Sequence, residues 1–418
     1  MDFLKDLDPA AWPGWLPLNE ADGATSSGAG LSPRTVNARS VLQAIWPGKP
    51  MTASELIEAT GLTRATVLSV CRDLVEAGWI EQAEDSRIAG SYVKGRPALR
   101  YLFRPQAGYV IACESDESRL RARVADLHGV IVAQRDREIP ADASGPTRRA
   151  ALVDLVDSVL AEADLGQEQI MSMAIAVPAP VDAHGTSVSD GAEGWWERMN
   201  PNLQAEFAER GWRVLVDNDA NLAALAEAAG GAGAGVRSFA TLLSGERFGT
   251  GLVVDGRLLR GQHGAVGEMR VLEMIAGVRT PDGLAYHART EVRAAAAAGT
   301  LRGELAEVPA ESIDADLVFA AARRGDRCAQ DILGSLAEVL TPVCMLLSGL
   351  LDLDRIIIAG SVAERIEPVL ARTRELMSRD YTLSWAELVA SKMGEDVVVQ
   401  GALAAALAMV RDTALIPD

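Results

Sequence analysis

Residues 216–227 read VDNDANLAALAE, and the fold turns on this stretch. Val214, Leu215 and Val216 end an apolar run that reads as a buried strand. Asp217, Asn218 and Asp219 then form a polar turn, and Asn221 opens a helix of Ala and Leu. A strand delivering acids to the start of a helix is the place where open α/β sheets bind their ligands. Asn and Asp also cap helices in proteins of every function, so the cluster alone is compatible with a plain helix start.

Upstream of this turn, GYVIACES, RLRARVADLHG and VIVAQRDREIP follow one another from Gly108 as three strands joined by tight turns. A helix over 148–163 and a buried strand over 171–177 come next. Downstream, a second lobe is expected to begin near Phe239, with strands over 241–244 and 251–254 and a turn at Asp255-Gly256. Helices through 331–350 and 366–377 flank the strand RIIIA, which ends in a turn at Gly360. A last helix over 401–409 is expected to pack back on the first lobe. The chain thus divides into a flexible tail (1–30), a small domain (31–104) and a body (105–418) with lobes at about 105–235 and 236–400.

Composition fits this division. The 418 residues suffice for two or three cores, and only 5% are aromatic, which suits an Ala/Val/Leu-rich α/β protein. Cys71, Cys113, Cys328 and Cys344 are scattered without a CxxC pair, as expected in a reducing compartment and without a metal signature. The N-terminus lacks the basic-then-apolar form of a signal peptide. The apolar run over 339–351 is interrupted by Thr341, Pro342 and Ser348, and reads as a buried helix, not a membrane span. The expected location is the cytoplasm. The net charge of −18 is unevenly spread. Residues 1–30 hold one Lys and five acids, residues 31–104 hold ten Lys/Arg and seven acids, and the body carries a net −17. A small basic domain on an acidic body is compatible with DNA binding, provided that the body points away from the duplex.

In the basic domain, a helical pattern through Val36, Leu42 and Ile45 stops at Pro47-Gly48. Thr52 and Glu55 make a capping box for a second helix ending at Gly61, and Thr63 caps a third that buries Val67, Val70 and Leu74 before Gly78. Short strands at Trp79-Ile80-Glu81 and Arg100-Tyr101-Leu102-Phe103 enclose a basic loop containing Lys94, Gly95, Arg96 and Pro97. This is winged helix-turn-helix geometry. Thr63, Arg64, Thr66 and Ser69 are placed to face bases and Arg72 a phosphate. Lys94 and Arg96 extend toward a minor groove.

The stretch VDNDANLAALAE is similar to the signature of the ROK family, which unites sugar kinases with sugar-sensing transcriptional repressors, and a wing ending in GRPA resembles that of ROK repressors. The resemblance extends from about residue 34 onward. It implies a two-lobed actin-like, ribonuclease-H-like ATPase fold behind the winged helix. It further implies that Asp219 occupies the position of the kinases' general base, that Asn218 hydrogen-bonds the sugar and that Glu268, within GAVGEM, holds sugar hydroxyls.

Several positions depart from the kinase pattern. Where kinases of the family carry a Gly-rich phosphate turn, this chain has Glu114, Ser115, Asp116, Glu117 and Ser118, with three acids and no glycine. ATP is therefore not expected. The second phosphate-type loop, GERFGTG from Gly245, keeps glycines but introduces Glu246 and Arg247. Val271 replaces the family's zinc-binding His, and residues 277–291 contain no Cys, so His287 stands alone and no zinc is expected. Gly191 occupies the position of a sugar-contacting Asn, and Ala179 that of a Gly.

The expectation is a DNA-binding transcriptional regulator, a repressor, whose body forms a homodimer or tetramer, senses a small sugar or phosphosugar and acts on a palindromic A/T-rich operator. Two alternatives stand beside it: a sugar kinase with Asp219 as base, and a regulator whose body is only an oligomerisation or docking platform.

Overall fold

The computed structural model describes residues 32–84, 99–189, 194–274, 280–380 and 386–414. The tail, and the wing with Lys94 and Arg96, lie outside these residues, as does Gly191.

The first helix, α1 (Pro33–Ile45), starts under a Ser32 cap with Pro33 in its first turn. It buries Val41, Leu42 and Ile45, whereas Val36, expected on the core face, is 41% exposed. A two-residue strand β1 (Met51–Thr52), which no sequence pattern announces, leads into α2 (Ala53–Thr60). The Thr52/Glu55 capping box forms, and Gly61 ends α2 in the left-handed region at φ 69°. Thr63 caps α3 (Arg64–Glu76), which buries Val67, Val70, Cys71 and Leu74. Strands β2 (Ile80–Glu84) and β3 (Leu99–Phe103) pair antiparallel, and β1 pairs with the other side of β3. This is a winged helix.

The first lobe begins with β4 (Tyr109–Ser115), β5 (Arg119–Asp126) and β6 (Ile131–Glu138), followed by α4 (Gly145–Ala163) and β7 (Ile170–Val177). Short helices α5 (Trp195–Met199) and α6 (Leu203–Ala208) precede β8 (Arg213–Asn218) and α7 (Asp219–Gly230). The helix α7 begins at Asp219 with Asn218 as its cap, two residues before Asn221, because the Asn218 side chain accepts the Ala220 and Asn221 amides. The sheet order is β6-β5-β4-β7-β8; β4, β7 and β8 are mutually parallel, so their carboxyl ends emerge at one edge.

The second lobe repeats this plan with β9 (Phe239–Ser244), β10 (Phe248–Val254) and β11 (Arg257–Leu259). Helices α8 (Leu284–Ala297), α9 (Ala315–Arg323) and α10 (Arg327–Leu351) lead to β12 (Arg355–Ala359), α11 (Glu367–Asp380) and β13 (Glu387–Ala390). Its order, β11-β10-β9-β12-β13, has the same antiparallel-then-parallel succession as the first sheet. Two lobes of one topology make an actin-like body. The helix α10 is long and apolar enough to cross a membrane by length and composition, but its apolar side is packed in the core of the second lobe through residues such as Ile332, Leu336, Leu340 and Leu347.

Helix α12 (Val397–Thr413) extends well beyond the expected 401–409. It lies along α7 and across β4 and β7. The two helices meet at Gly401, where a Cβ would fall 1.8 Å from the Leu222 carbonyl oxygen. The far end of α12 reaches the winged helix. Arg39 donates to the Asp412 carbonyl at 2.7 Å, and the Arg411 guanidinium stands 5.5 Å from the Trp46 ring. Trp46 also stacks on Phe103, Phe103 stacks on His128 of the β5–β6 turn, and His128 Nε2 donates to the Trp46 carbonyl at 2.9 Å. Residues of the small domain and of the first lobe consequently share one apolar cluster.

Candidate functional site

The parallel pairing of β7 and β8 sets Val177 opposite Asn218, so the chain after β7 runs beside the Asn218 turn. There Asn218 Nδ2 donates to the Ala179 carbonyl at 3.2 Å. The carboxamide oxygen is thereby taken up twice by the protein, and the nitrogen keeps one N–H beyond its bond to Ala179. Asp219 accepts the amide of Ala220 at 2.7 Å. Burial, with Asp116, Glu268 and Glu114 as nearby like charges, raises its carboxyl well above the usual range. Glu268 reaches the same cleft from the second lobe, and its carboxyl is raised by burial against the opposing pull of Arg270 and Arg247. Asn218, Asp219 and Glu268 are thus brought together, with the two carboxylates in electrostatic range of one another.

The β4–β5 turn is built differently from a phosphate cradle. Its Asp116 amide is consumed by the Arg119 carbonyl at 2.9 Å. The carbonyls of Asp116 and Glu117 turn inward to the buried Arg148, which also donates to the carbonyls of Pro140, Ala141 and Ala143. Arg121 lies 3.4 Å from Glu114, donates to the Glu395 carbonyl at 2.8 Å and reaches Asp396 at 3.3 Å. Burial pushes Glu114 up to about 7 even with Arg121 beside it. Buried arginines and acids occupy the space next to a turn whose Asp116 amide is already bonded and whose carbonyls face Arg148.

Two arginines of the second lobe reach across the cleft. Arg247 places its guanidinium 4.4 Å from the centre of the Trp195 ring, and Arg260 pairs with Asp217 at 2.9 Å. Glu246, the other departure in that loop, pairs with Arg289. Sequence reading singled out none of Arg121, Arg148 and Arg260. For Arg260 a signal existed: Asp217 lies near the end of a buried strand, and a buried carboxylate is costly unless it is paired or hydrogen-bonded.

Val271 is 49% exposed, and His287, on α8, has its Nε2 buried without a hydrogen-bond partner. Among the described residues, no group of three or more His, Cys, Asp or Glu is placed to share a metal ion.

On the winged helix, Thr63, Arg64, Ser69 and Arg72 are exposed along α3, with Thr66 half-buried. The Thr63 and Thr66 hydroxyls are 2.9 Å apart and Thr63 accepts the Thr66 amide, so these two also serve the helix cap. Arg72 donates weakly to Ser69 at 3.4 Å, leaving its guanidinium largely in solvent.

A winged helix joined to a two-lobed actin-like body, with Asn218 capping and Asp219 opening a helix in the cleft, defines a fusion of a DNA-binding-type module with a sugar-kinase-type scaffold. The ROK family profile matches residues 117–409 and the MarR family profile residues 30–88, and the chain belongs to the ROK family. The xylose repressor of Bacillus subtilis (strain 168) is 23% identical over 237 residues, 56% of this chain and 60% of the repressor. The chain thus spans about three fifths of the length of that relative. The glucokinase of Streptomyces coelicolor is 26% identical over 318 residues, 71% of this chain and 96% of the kinase. A crystal structure of a ROK family transcriptional regulator, a homologue of the Escherichia coli Mlc protein, superposes with a TM-score of 0.73 at 22% identity, covering 92% of this chain and 98% of its own.

Proposed function

We propose that this chain is a DNA-binding transcriptional repressor whose body senses a small sugar or phosphosugar and carries out no phosphoryl transfer. The observation that carries this reading is the outer face of α3, exposed with Arg64 and Arg72 while its inner face is fully packed. The match to a sugar-named repressor and the MarR-type segment support the same reading. Arg64 and its neighbours meet base edges, Arg72 a phosphate, and Lys94 and Arg96 an adjacent groove. Two copies bind a palindromic A/T-rich operator in the cytoplasm as a dimer or a pair of dimers.

In the body, Asn218, Asp219 and Glu268 take the sugar hydroxyls. The Glu114–Arg121 network and the use of the Asp116 amide within its own turn speak against ATP, since a phosphate there would face acids with one backbone donor fewer. Val271 in place of a His, and the lack of Cys in residues 277–291, support a body without zinc. The signal travels from the ligand turn along α7 to α12, whose far end holds the winged helix through Asp412 and Trp46.

The test is fluorescence anisotropy on genomic operator fragments at moderate salt. Replacing Arg64 and Arg96 together by Ala should weaken binding at least tenfold, since a base-contacting arginine is worth about 1–3 kcal/mol. Binding equal to wild type would remove α3 and the wing from the interface. The glucokinase match sustains a second reading, a kinase with Asp219 as base. Glucose-dependent ADP formation that disappears in Asp219→Asn would establish it.

A further inference from the structure

Arg260 joins the two halves of the cleft by side chain and backbone at once. It follows the edge strand β11 of the second lobe, yet its Nε donates at 3.0 Å to Oδ2 of Asp217 in the first lobe. Asp217 is 2% exposed. Its other oxygen accepts the Asn218 amide at 2.8 Å and Asn221 Nδ2 at 3.0 Å. The Asp217 carboxylate therefore fixes the turn that presents Asn218 and Asp219. The Arg260 carbonyl, in turn, accepts the Val266 amide at 3.3 Å and closes the loop that presents Glu268. That loop has no room to shift toward the first lobe. At Gly264, φ is 67° and a Cβ would meet the Val181 carbonyl oxygen at 1.8 Å.

A buried ion pair is weak support for stability, because two apolar residues of the same shape would serve as well; what it fixes is geometry. We propose that Arg260 is the positioning residue of the ligand site, and that its pair with Asp217 sets the spacing between Asn218 and Asp219 on one lobe and Glu268 on the other. The inference rests on the reading of this cleft as a ligand site. Arg260 acts through the turn that Asp217 fixes. A ligand that closes or opens the cleft must move this pair, so cleft geometry and the turn at the head of α7 change together.

Hydrogen exchange on the full chain tests the proposal without any ligand. In Arg260→Met, the amides of 217–221 and of 261–268 should both exchange at least tenfold faster, while β4, β7 and the middle of α12 keep their protection. Arg260→Lys, which keeps one charged donor, should restore part of the protection in both segments. Faster exchange in only one segment, or in neither, overturns the proposal; faster exchange everywhere in Arg260→Met with no recovery in Arg260→Lys also overturns it, by making the residue merely structural. Calorimetric titration with D-glucose and with D-xylose separates the underlying reading. If one of them binds the wild type, Arg260→Met should bind it at least tenfold more weakly, with Arg260→Lys between; equal affinity overturns the positioning role. If neither binds the wild type, the sugar reading fails for these two probes, and paired exchange still decides the role of Arg260.

Discussion

The turn after β4 and the turn after β8 emerge at the same edge of the first sheet, and both carry acids. They lie close enough for Glu114 and Asp116 to raise the Asp219 carboxyl. In the first turn the acid is surrounded by arginine: Arg121 beside Glu114, and Arg148 beneath the carbonyls of Asp116 and Glu117. In the second, Asp217 has Arg260, but among the described residues the carboxylate of Asp219 is met only by the Ala220 amide. Both turns share a sheet and a sign of charge, and they differ in what folding has placed around the carboxylate. An acid set beside an arginine serves the scaffold. One held with its charge uncompensated in a cleft is available to a ligand.

The comparison breaks most visibly if the arginine is removed from the first turn. Arg121→Ala leaves Glu114 buried without its cation and also strips the Glu395 carbonyl of a donor. A loss of about 3–5 kcal/mol is expected at pH 8 by urea unfolding, with a smaller loss at pH 5, where Glu114 takes a proton. An equal loss at both pH values would show that Arg121 acts only by packing.

Glu114 itself sharpens the contrast through pH. Its folded value of about 7 stands above the ordinary 4.5, so the folded chain holds this proton more tightly than the unfolded one. Its contribution to stability is fully present below about pH 4.5 and is lost as pH rises toward 7. The span amounts to at most roughly 3 kcal/mol. In Glu114→Gln this part of the pH dependence should vanish, and the variant should be more stable than wild type at pH 8. A slope unchanged by the substitution would assign it to other groups, with Asp219 and Glu268 the first to consider.

How these turns would be built was only partly legible in the residues. The winged helix could be read because local chemistry decides it: the Thr52/Glu55 box, the Thr63 cap and the αL glycine at Gly61 all act within a few residues. The body was legible through its apolar strands and through the signature around Asn218. The arginine network was not. In RLRARVAD, alternation marks Arg119, Arg121 and Arg123 as one face of a strand, the kind that ordinarily meets water. Arg121 and Arg123 are nonetheless each 7% exposed, partly because chain 274 residues away from Arg121 returns to cover that face through Glu395 and Asp396. The early start of α7 was hidden for a smaller reason. Asp217, Asn218 and Asp219 all read as turn residues, and which of them caps is settled by Asp217 being claimed by Arg260 and Asn221. Val36 shows the converse limit: its spacing suits the core, but the core of the small domain does not extend to the first turn of α1.

The smallest expected effect tests the second turn directly. If Asp219 is kept for a ligand at the expense of stability, Asp219→Asn should make the unliganded protein more stable. The amide preserves the shape and an acceptor for the Ala220 amide, and removes a charge opposed by burial and by three neighbouring acids. Because the folded carboxyl lies above its usual range, its stabilising contribution belongs to low pH and is lost as pH rises. The gain from Asn should therefore be near zero at pH 4 and grow toward pH 8, reaching roughly 1–2 kcal/mol, in the range of an unsatisfied buried polar group. Thermal unfolding at the two pH values measures it, and calorimetry with D-glucose or D-xylose should show weaker binding in the same variant. A variant less stable than wild type at pH 8 would place Asp219 with Glu114, as part of the scaffold. A variant more stable and deficient in sugar binding would separate the two turns by function as well as by surroundings.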